Sequence, residues 1–536
     1  MGNSVYVVML DVAKAFDSVW IEGLLYKLFH LGMEGRLWRL LRECYDGFKC
    51  RVVVNGVQSD ELNVERGVHQ GAPLSMRLYQ LSNNDLLKAL SDLGFAVRIL
   101  DLKTSTPAFA DDIAIVALFK CVMNVLLRHA HGHSRLWGYD YNARKSIGMC
   151  FGNDTAPDQK LLLGEDEIVM TNGGTHMGVP LCATKDALKE VITQRVESVK
   201  NEMNVVMSLG NRNAPLPPLV AEKIYKSTCI PKVTYGLDSC VLNDECMSQL
   251  EMSHRYCSKI MQGLPPQTPI VATLSTLGLY TMESLIYYNQ MLMLYRWLSL
   301  PCRSLYKKIA IARLTYHMYG TGSHQGPIFE AFKACQRYGV LEHIVEALDT
   351  GITMKRLQWK KIVWIAIESV EVSRWQATTL LYSKLSVFRS CVTEIKVSVW
   401  WQLSRVCPRL TKATRIIMRL ICGEHCLTSN VGKYTNSTTR LCPLCDDFES
   451  ETVSHMLFVC TRLTGVRGNG IGILEGKMPH AMYECLCGMN NMDKAIFVIS
   501  GMRSPFIAEW IEIYTAIATF VYTMYQERHR LNAEYL

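Results

Sequence analysis

The stretch Phe109-Ala110-Asp111-Asp112-Ile113-Ala114-Ile115-Val116 places two adjacent carboxylates just before an apolar run. Isoleucine and valine alternate with alanine after the pair, which predicts a buried strand that begins at a tight turn, as at the tip of a hairpin. Aspartate is common in turns. Two like charges beside a core are costly, however, unless a cation or strong donors compensate for them. Taken alone the pair fits a polar turn, so its meaning depends on the rest of the chain.

Composition indicates a large protein without a membrane segment. The chain has 536 residues, of which 49% are hydrophobic, and this length predicts two to four domains. A net charge of +8 is compatible with a polyanionic partner but too small to indicate one. The 20 cysteines are scattered apart from one late cluster, as expected of free thiols in a reducing compartment. With no secretory signal and no run that could span a bilayer, we expect an intracellular protein of the nucleus or cytoplasm, and the oligomeric state stays open.

The N-terminal region predicts a buried strand followed by helices. The apolar run over residues 5–10 is typical of a strand buried on both faces, and it ends at Asp11. A carboxylate at the end of such a strand is held rigidly, which suits metal-dependent chemistry. Leucine spacing predicts helices over about 20–31 and 34–45, and Asn55-Gly56 predicts a hairpin turn.

A shaped loop follows over residues 67–75, Gly-Val-His-Gln-Gly-Ala-Pro-Leu-Ser. Glycines on either side of Gln70 would let the backbone approach a ligand closely. Ser75 is expected to cap the helix that follows. By itself the segment fits a generic loop equally well.

Five segments carry a resemblance to a known family. In chain order they are Asp11 with Ala15-Phe16-Asp17, the loop 67–75, Phe109-Ala110-Asp111-Asp112, the segment 142–146 and Met177-Gly178-Val179. This series resembles the palm motifs of reverse transcriptases, and its wording is similar to the non-LTR (LINE-type) retrotransposon class rather than to retroviral or group II intron enzymes. The resemblance implies an α+β fold, in which a polymerase palm with an antiparallel sheet and helices precedes a mostly helical thumb and C-terminal region.

The resemblance also implies an RNA-directed DNA polymerase that uses two Mg²⁺ ions. Nucleotidyl transfer needs two divalent ions, and Mg²⁺ prefers carboxylate and phosphate oxygens. Asp11 and Asp111 would be the ligands, with Asp112 in a supporting position because adjacent strand residues point to opposite faces. The implied partners are an RNA template, a DNA primer or target, and dNTPs.

Four further residues are assigned by the same resemblance. Phe16 would lie under the sugar and favour dNTPs, while Gln70 and Gly71 would line the template and the incoming base pair. Lys145 matches a candidate proton donor to pyrophosphate, although a solvated lysine at a strand edge fits the pattern too.

The chain departs from the family in two ways. Residues His69, Ala72 and Met76 stand where arginine, aspartate and proline are common, which affects fine substrate geometry. Only ten residues precede Asp11, where the family carries a fingers region with basic residues that hold the triphosphate. We therefore expect an N-terminally truncated element with impaired polymerase activity. The alternative is a non-catalytic retroelement remnant that binds RNA or DNA through its thumb and zinc module.

Patterning and resemblance together divide the chain into five regions. They are a palm over 1–185, a helical thumb over 186–301, a helical connector over 302–430, a zinc module over 431–470 and a C-terminal helical tail over 471–536. The tryptophans of the connector, Trp359, Trp364, Trp375, Trp400 and Trp401, have apolar neighbours and are expected in the core rather than as base-stacking platforms.

The late cysteine cluster predicts a metal site. Cys442 and Cys445 form a Cys-x-x-Cys pair, and His455 and Cys460 follow at a spacing that can close a tetrahedral Zn²⁺ site. A redox-active pair is the alternative for the two thiols alone. The set resembles the CCHC motif (a zinc knuckle) that follows the thumb in many non-LTR reverse transcriptases, either as a structural staple or in contact with nucleic acid. The arginines expected near phosphates are Arg415, Arg419, Arg440, Arg462 and Arg467.

Overall fold

The computed structural model describes residues 4–69, 71–99, 102–104, 106–211, 214–321, 325–431, 440–501 and 510–535. The chain divides into two compact units. Unit 1 is Met1–Val191 with Arg303–Ile309, and unit 2 is Ile192–Cys302 with Ala310–Leu536. The finer division into palm, thumb, connector, zinc module and tail stays a prediction.

The strands all belong to unit 1. They are β1 (Val5–Leu10), β2 (Lys49–Cys50), β3 (Val53–Val54), β4 (Val57–Gln58), β5 (Leu62–Asn63), β6 (Val97–Ile99), β7 (Leu102–Thr104), β8 (Ala108–Phe109), β9 (Asp112–Ala117), β10 (Ile147–Phe151), β11 (Leu162–Leu163), β12 (Asp166–Glu167), β13 (Val169–Met170), β14 (Gly173–His176) and β15 (Val179–Cys182).

The main sheet has the order β13-β10-β1-β9-β8, so the predicted buried strand β1 is central. It pairs antiparallel with β9 and with β10. The edge pair of β10 and β13 is parallel, which departs from the purely antiparallel sheet that we expected. The predicted hairpin at Asn55-Gly56 is confirmed between β3 and β4, and both of its turn residues have positive φ.

The sheet is buried on both faces, as the sequence predicted for β1. On one face, Val8, Ile115 and their neighbours pack against helix residues such as Leu90 and Leu126. On the other face, Met9 packs with Ala114, Met149 and the partly buried Leu181. This double burial holds the strand ends rigidly, and the candidate carboxylates lie at those ends.

Helices make up most of the rest. In chain order they are α1 (Ala15–Ser18), α2 (Ile21–His30), α3 (Gly35–Tyr45), α4 (Ser75–Asp92), α5 (Lys120–Trp137), α6 (Lys185–Ser208), α7 (Pro218–Ile224), α8 (Ile230–Thr234), α9 (Asp244–Gln262), α10 (Ile270–Ser275), α11 (Met282–Leu298), α12 (Leu305–Tyr319), α13 (Pro327–Arg337), α14 (Leu341–Thr350), α15 (Arg356–Leu380), α16 (Ser386–Cys391), α17 (Val399–Val406), α18 (Thr411–Ile421), α19 (Thr428–Val431), α20 (Thr464–Lys477), α21 (His480–Gly488), α22 (Asn491–Ile499) and α23 (Ile511–Tyr535). The predicted helices over 20–31 and 34–45 correspond to α2 and α3. Among the described helices, none is both long and apolar enough to cross a bilayer.

The core of unit 2 is rich in tryptophan. Four of the five connector tryptophans are buried, which confirms the prediction for Trp359, Trp375, Trp400 and Trp401. Indole nitrogens in this core reach backbone carbonyls, as Trp359 does at Met291 and Trp400 at Ile499. For Trp364 the prediction was wrong, since this side chain is 36% exposed.

Candidate active site and metal centre

The carboxylates lie at neighbouring strand ends of the main sheet. Asp11 directly follows β1, and the Ala110-Asp111 turn joins β8 to β9, which confirms the hairpin predicted around the pair. Leu10 pairs with Ile113, so Asp11 lies at the same end of the β1–β9 ladder as the turn that carries Asp111 and Asp112. Asp11 and Asp111 are partly buried, whereas Asp112 is exposed. Three carboxylates therefore share one edge of the sheet.

Two residues beside this edge adopt an unusual backbone conformation. Lys14 has φ of 48° and Ala110 has φ of 55°, in the left-handed region that non-glycine residues seldom occupy. Such residues cluster at functional sites, where surrounding structure holds the strain. Here they shape the turns on either side of the carboxylates.

The segment 142–146 is anchored to Asp11 through the backbone. The amide of Asn142 donates to the Asp11 carbonyl at 2.8 Å, and the Asp11 amide donates to Ser146 Oγ at 3.1 Å. Ser146 is fully buried, and its hydroxyl donates to the Asn142 carbonyl at 2.9 Å. Sequence reasoning missed the role of Ser146. The anchor brings Lys145, which is exposed, into the neighbourhood of Asp11.

Phe16 lies in α1, close behind Asp11 in the chain, and packs beside Tyr79 with ring centroids 5.2 Å apart. Its carbonyl accepts from the Val68 amide at 2.9 Å. Gly67 has φ of 102°, and a side chain there would meet the Asp17 backbone at 3.3 Å. Glycine at this position thus lets the loop 67–75 lie directly against the turn that carries Phe16.

Other parts of that loop are placed differently from the sequence expectation. Gln70 lies outside the described residues, and Gly71 has φ of 83° with open space around it. His69 stacks against Tyr45 with centroids 5.4 Å apart. The prediction that Ser75 caps a helix was wrong, because Ser75 is the first residue of α4 and its hydroxyl donates back to the His69 carbonyl. Ser75 therefore closes the loop rather than capping the helix.

A partly buried polar network around Asp85 was also missed. Asp85 contacts Lys27 Nζ at 2.9 Å and His133 Nε2 at 3.1 Å, and His133 Nδ1 lies 3.0 Å from the Tyr139 hydroxyl. The Tyr139 and Tyr141 hydroxyls are 3.3 Å apart. Although burial opposes it, hydrogen bonds from His133 and Lys27 lower the pKa of Asp85 to about 2.

The cysteine cluster is assembled in space as its spacing suggested. The ligand atoms of Cys442, Cys445, His455 and Cys460 all lie within 4.8 Å of one another, and all four residues are buried. The Sγ atoms of Cys442 and Cys460 are 3.9 Å apart, and Cys445 Sγ is 3.3 Å from His455 Nε2. Within the described parts of the chain, it is the one group of three or more such side chains that meets this limit.

The electrostatics of this cluster fit a bound cation. The neighbouring Cys460 thiol, followed by burial, raises the pKa of Cys442 to about 12, and burial raises that of Cys445 to about 11. The hydrogen bond from Cys442 lowers the pKa of Cys460 instead. A bound metal would compensate the charge of the thiolates at all three positions. Glu449 contacts His455 Nδ1 at 3.1 Å, an outer carboxylate of the kind that orients a metal-binding histidine.

The surroundings of the cluster are tied to the end of the chain. Glu451 and Arg528 form a buried pair with contacts of 2.7 and 2.9 Å. Glu451 also accepts from the Thr428 amide at 2.7 Å, and Arg528 donates to the Cys426 carbonyl at 3.3 Å. Helix α23, which carries Arg528, therefore fastens the loop between the metal-ligand candidates to the helices before it.

Among the five arginines expected to meet phosphates, Arg415, Arg419 and Arg467 donate to backbone carbonyls of the protein. Arg467 donates to the Leu457 carbonyl at 2.9 Å and to the Cys460 carbonyl at 2.5 Å. Arg419 donates to the Gly263 carbonyl at 2.7 Å, and Arg415 donates to the Leu216 carbonyl at 3.2 Å. These guanidinium groups satisfy backbone carbonyls, so the expectation that they meet phosphates is not supported.

Comparison with known proteins agrees with the geometry of unit 1. Residues 1–192 match the family described as reverse transcriptase (RNA-dependent DNA polymerase). The RNA-directed DNA polymerase from mobile element jockey of Drosophila funebris is 30% identical over 143 residues, covering 26% of this chain and 15% of the relative.

Two relatives from R2 elements match longer segments. The retrovirus-related Pol polyprotein from type-1 retrotransposable element R2 of Popillia japonica is 27% identical over 238 residues, covering 44% of this chain and 33% of the relative. The retrovirus-related Pol polyprotein from type-2 retrotransposable element R2DM of Drosophila melanogaster is 26% identical over 274 residues, covering 50% of this chain and 25% of the relative. The matches thus span between 15% and 33% of these three relatives. Residues 1–192 belong to the reverse transcriptase family, and the chain is related to the RNA-directed DNA polymerases of non-LTR retrotransposons.

Proposed function

We propose that this chain supplies the palm of an RNA-directed DNA polymerase, in which Asp11 and Asp111 hold two Mg²⁺ ions. The observation that carries the proposal is the register of β1 and β9, which brings Asp11 to the same sheet edge as the Asp111-Asp112 turn. Carboxylates at rigid, adjacent strand ends match the oxygen ligands that Mg²⁺ requires, and phosphates of the substrate would complete the set. When bound, the ions would stabilise the attacking 3′-oxygen and the leaving pyrophosphate.

The protein residues have separate roles in this proposal. Asp112 is the first residue of β9, beside Asp111, and would add negative charge to the cation site. Phe16 supports the sugar of the incoming dNTP, while Gln70 and Gly71 line the base pair. The Asn142–Ser146 anchor keeps Lys145 near the site, where its ammonium group would donate a proton to pyrophosphate.

We also propose that Cys442, Cys445, His455 and Cys460 bind Zn²⁺. Three thiols and one imidazole are a typical donor set for structural zinc. Their burial and the outer contact from Glu449 support a closed structural centre. Its main role in this proposal is to fasten the C-terminal helices of unit 2, within a chain whose thumb would be residues 186–301 and whose connector would be 302–430.

Single-nucleotide extension of a DNA primer on an RNA template, with Mg²⁺ or Mn²⁺ and excess protein, tests the polymerase role. We expect incorporation by the wild-type chain that is lost in both Asp11→Asn and Asp111→Asn. Asp17→Asn is the matched control, because Asp17 is an exposed carboxylate of the same segment with no assigned metal role. Incorporation that persists in Asp111→Asn would contradict the proposal.

A further inference from the structure

The exposed tryptophan of unit 2 lies in a cluster of aromatic side chains on the surface. Trp364 is 36% exposed, whereas the other four connector tryptophans are at most 8% exposed. Tyr280 and Tyr288 approach it edge to face, with ring centroids at 5.1 and 5.8 Å. Helix α15 therefore places Trp364 at the surface, beside two partly buried tyrosines, where the sequence predicted core.

Basic residues lead up to this cluster along the same helix. Between Lys355 and Trp364 the sequence is Lys-Arg-Leu-Gln-Trp-Lys-Lys-Ile-Val-Trp, with four basic residues and no acidic one. Arg356, Lys360 and Trp364 are four residues apart, so they form one stripe along the helix. Burial raises the pKa of Tyr288, and the positive charge of Arg356 acts against that shift.

The inner face of α15 is fixed, so the outer stripe is not needed for packing. Trp359 is buried, donates to the Met291 carbonyl at 3.2 Å and stacks on Tyr295 with centroids 4.4 Å apart. Across the described structure, Lys360 and Lys361 form no ion pair within 4.0 Å. Arg356 lies in the first turn of α15, where positive charge opposes the helix dipole, and Lys360 adds a like charge four residues further on; a bound polyanion would offset both costs. Glu368, four residues after Trp364 on the same stripe, accepts from the Tyr280 hydroxyl at 3.2 Å and ends the positive charge of this face.

We propose that this surface, formed by Arg356, Lys360, Lys361, Trp364, Tyr280 and Tyr288, binds single-stranded nucleic acid. The cations would follow the phosphates and the rings would stack with unpaired bases, the combination that sequence-independent strand binding uses. The chemistry fits an exposed strand better than a duplex, because the bases of a duplex are already stacked. This surface belongs to unit 2, whereas the carboxylates belong to unit 1, so the inference goes beyond the proposed function.

Fluorescence anisotropy of the full chain with a short labelled oligouridylate tests the surface, without metal or dNTP. We expect Trp364→Ala to weaken binding about ten-fold, as for loss of one stacked base, and Trp364→Phe to restore most of it. Lys360→Ala/Lys361→Ala should flatten the dependence of log Kd on log salt by about 1.4. The charge-matched control is Lys333→Ala/Lys477→Ala, since each of these lysines is already paired with a glutamate. It should leave the slope unchanged.

Photocrosslinking with 5-iodouridine in the same oligonucleotide locates the contact, and a DNA version of the probe compares RNA with DNA. Crosslinks at Trp364, Tyr280 or Tyr288 would support the proposal for whichever strand forms them. Crosslinks confined to unit 1, or equal binding by Trp364→Ala and the paired-lysine control, would overturn it. Because no nucleotide is incorporated, a failure here is distinct from a failure of polymerase activity. Melting curves of each variant show that it is folded.

Discussion

The two candidate metal centres of this chain are built in opposite ways. The cysteine–histidine centre is buried, and its four ligand atoms lie within 4.8 Å of one another. The carboxylate centre is a partly exposed sheet edge, where Asp11, Asp111 and Asp112 come from two strand ends and no such tight group forms. A closed donor set suits a permanent structural ion, whereas an open one leaves positions for substrate phosphates. In the proposed function, the closed centre would serve stability and the open one chemistry.

The largest effect expected from this comparison is the loss of the closed centre. Cys442→Ser/Cys445→Ser, or removal of metal by a chelator, should lower the free energy of unfolding of unit 2 by several kcal/mol, because zinc contributes about 10–16 kcal/mol in isolated zinc-finger peptides. Metal content and thermal unfolding measure this. Cys485→Ser/Cys487→Ser, which removes two exposed thiols, is the control and should change neither. Equal stability of both double variants would make the closed centre dispensable.

The next effect concerns the buried pair that supports the closed centre. Arg528→Met should destabilise the chain by about 3–5 kcal/mol, since it leaves the Glu451 carboxylate buried without its partner. Arg530→Met, two residues further along the same helix, removes two surface ion pairs, with Glu527 and Glu534, and should change stability little. Denaturant titration distinguishes the two variants. Similar denaturation midpoints for both variants would show that α23 does not hold the loop between Cys445 and His455.

A smaller effect is expected at the carboxylate edge. Ser146→Ala should lower the free energy of unfolding by about 1–3 kcal/mol. The Asp11 amide would lose its acceptor, the hydroxyl of Ser146, which is fully buried. Ser59→Ala is a matched control, as Ser59 Oγ accepts from the Val52 amide at 3.0 Å but is exposed. Urea unfolding followed at unit 1 checks the difference. If the two substitutions lower stability equally, the hydrogen bond between Ser146 and Asp11 is not what holds Asp11 in place.

The smallest effect is a pH dependence of the network around Asp85. The pKa of Asp85 is lowered to about 2 in the folded chain from an ordinary value near 3.8. The ionised Asp85 carboxylate therefore contributes fully to the free energy of unfolding above about pH 4, and this contribution is lost as the pH falls toward 2. Because the Asp85 side chain is 42% exposed and its ion pairs are screened by solvent, we expect this stabilisation to be only about 1 kcal/mol. Asp85→Asn should remove this part of the acid sensitivity, and an unchanged pH profile would contradict the assignment.

Local patterns predicted the elements that carry the carboxylates. The apolar run before Asp11 and the alternation after Asp112 were enough to predict β1, β9 and the hairpin turn, because burial and side-chain periodicity are local properties. The spacing of the four metal-ligand candidates likewise predicted their grouping. The family resemblance added chemical roles that the pattern alone could not supply.

The contacts between residues far apart in the chain could not be predicted from the sequence. The anchor from Ser146 to Asp11 joins residues 135 positions apart, and the pair of Arg528 with Glu451 joins residues 77 apart. The sequence gives the charge of Arg467 but not the backbone carbonyls to which it donates, so it was expected to contact phosphates. The exposure of Trp364 was missed for the same reason, since apolar neighbours in sequence do not show which face of a helix is covered.

A Mn²⁺ titration followed by electron paramagnetic resonance, with zinc content measured in the same samples, tests the central claim most directly. The account predicts that wild type and Asp17→Asn bind Mn²⁺ in the presence of primer and template. Asp11→Asn and Asp111→Asn should lose that binding while retaining their zinc. Mn²⁺ binding that is unchanged in both of these variants would contradict a metal-dependent polymerase site at the ends of β1 and β8–β9.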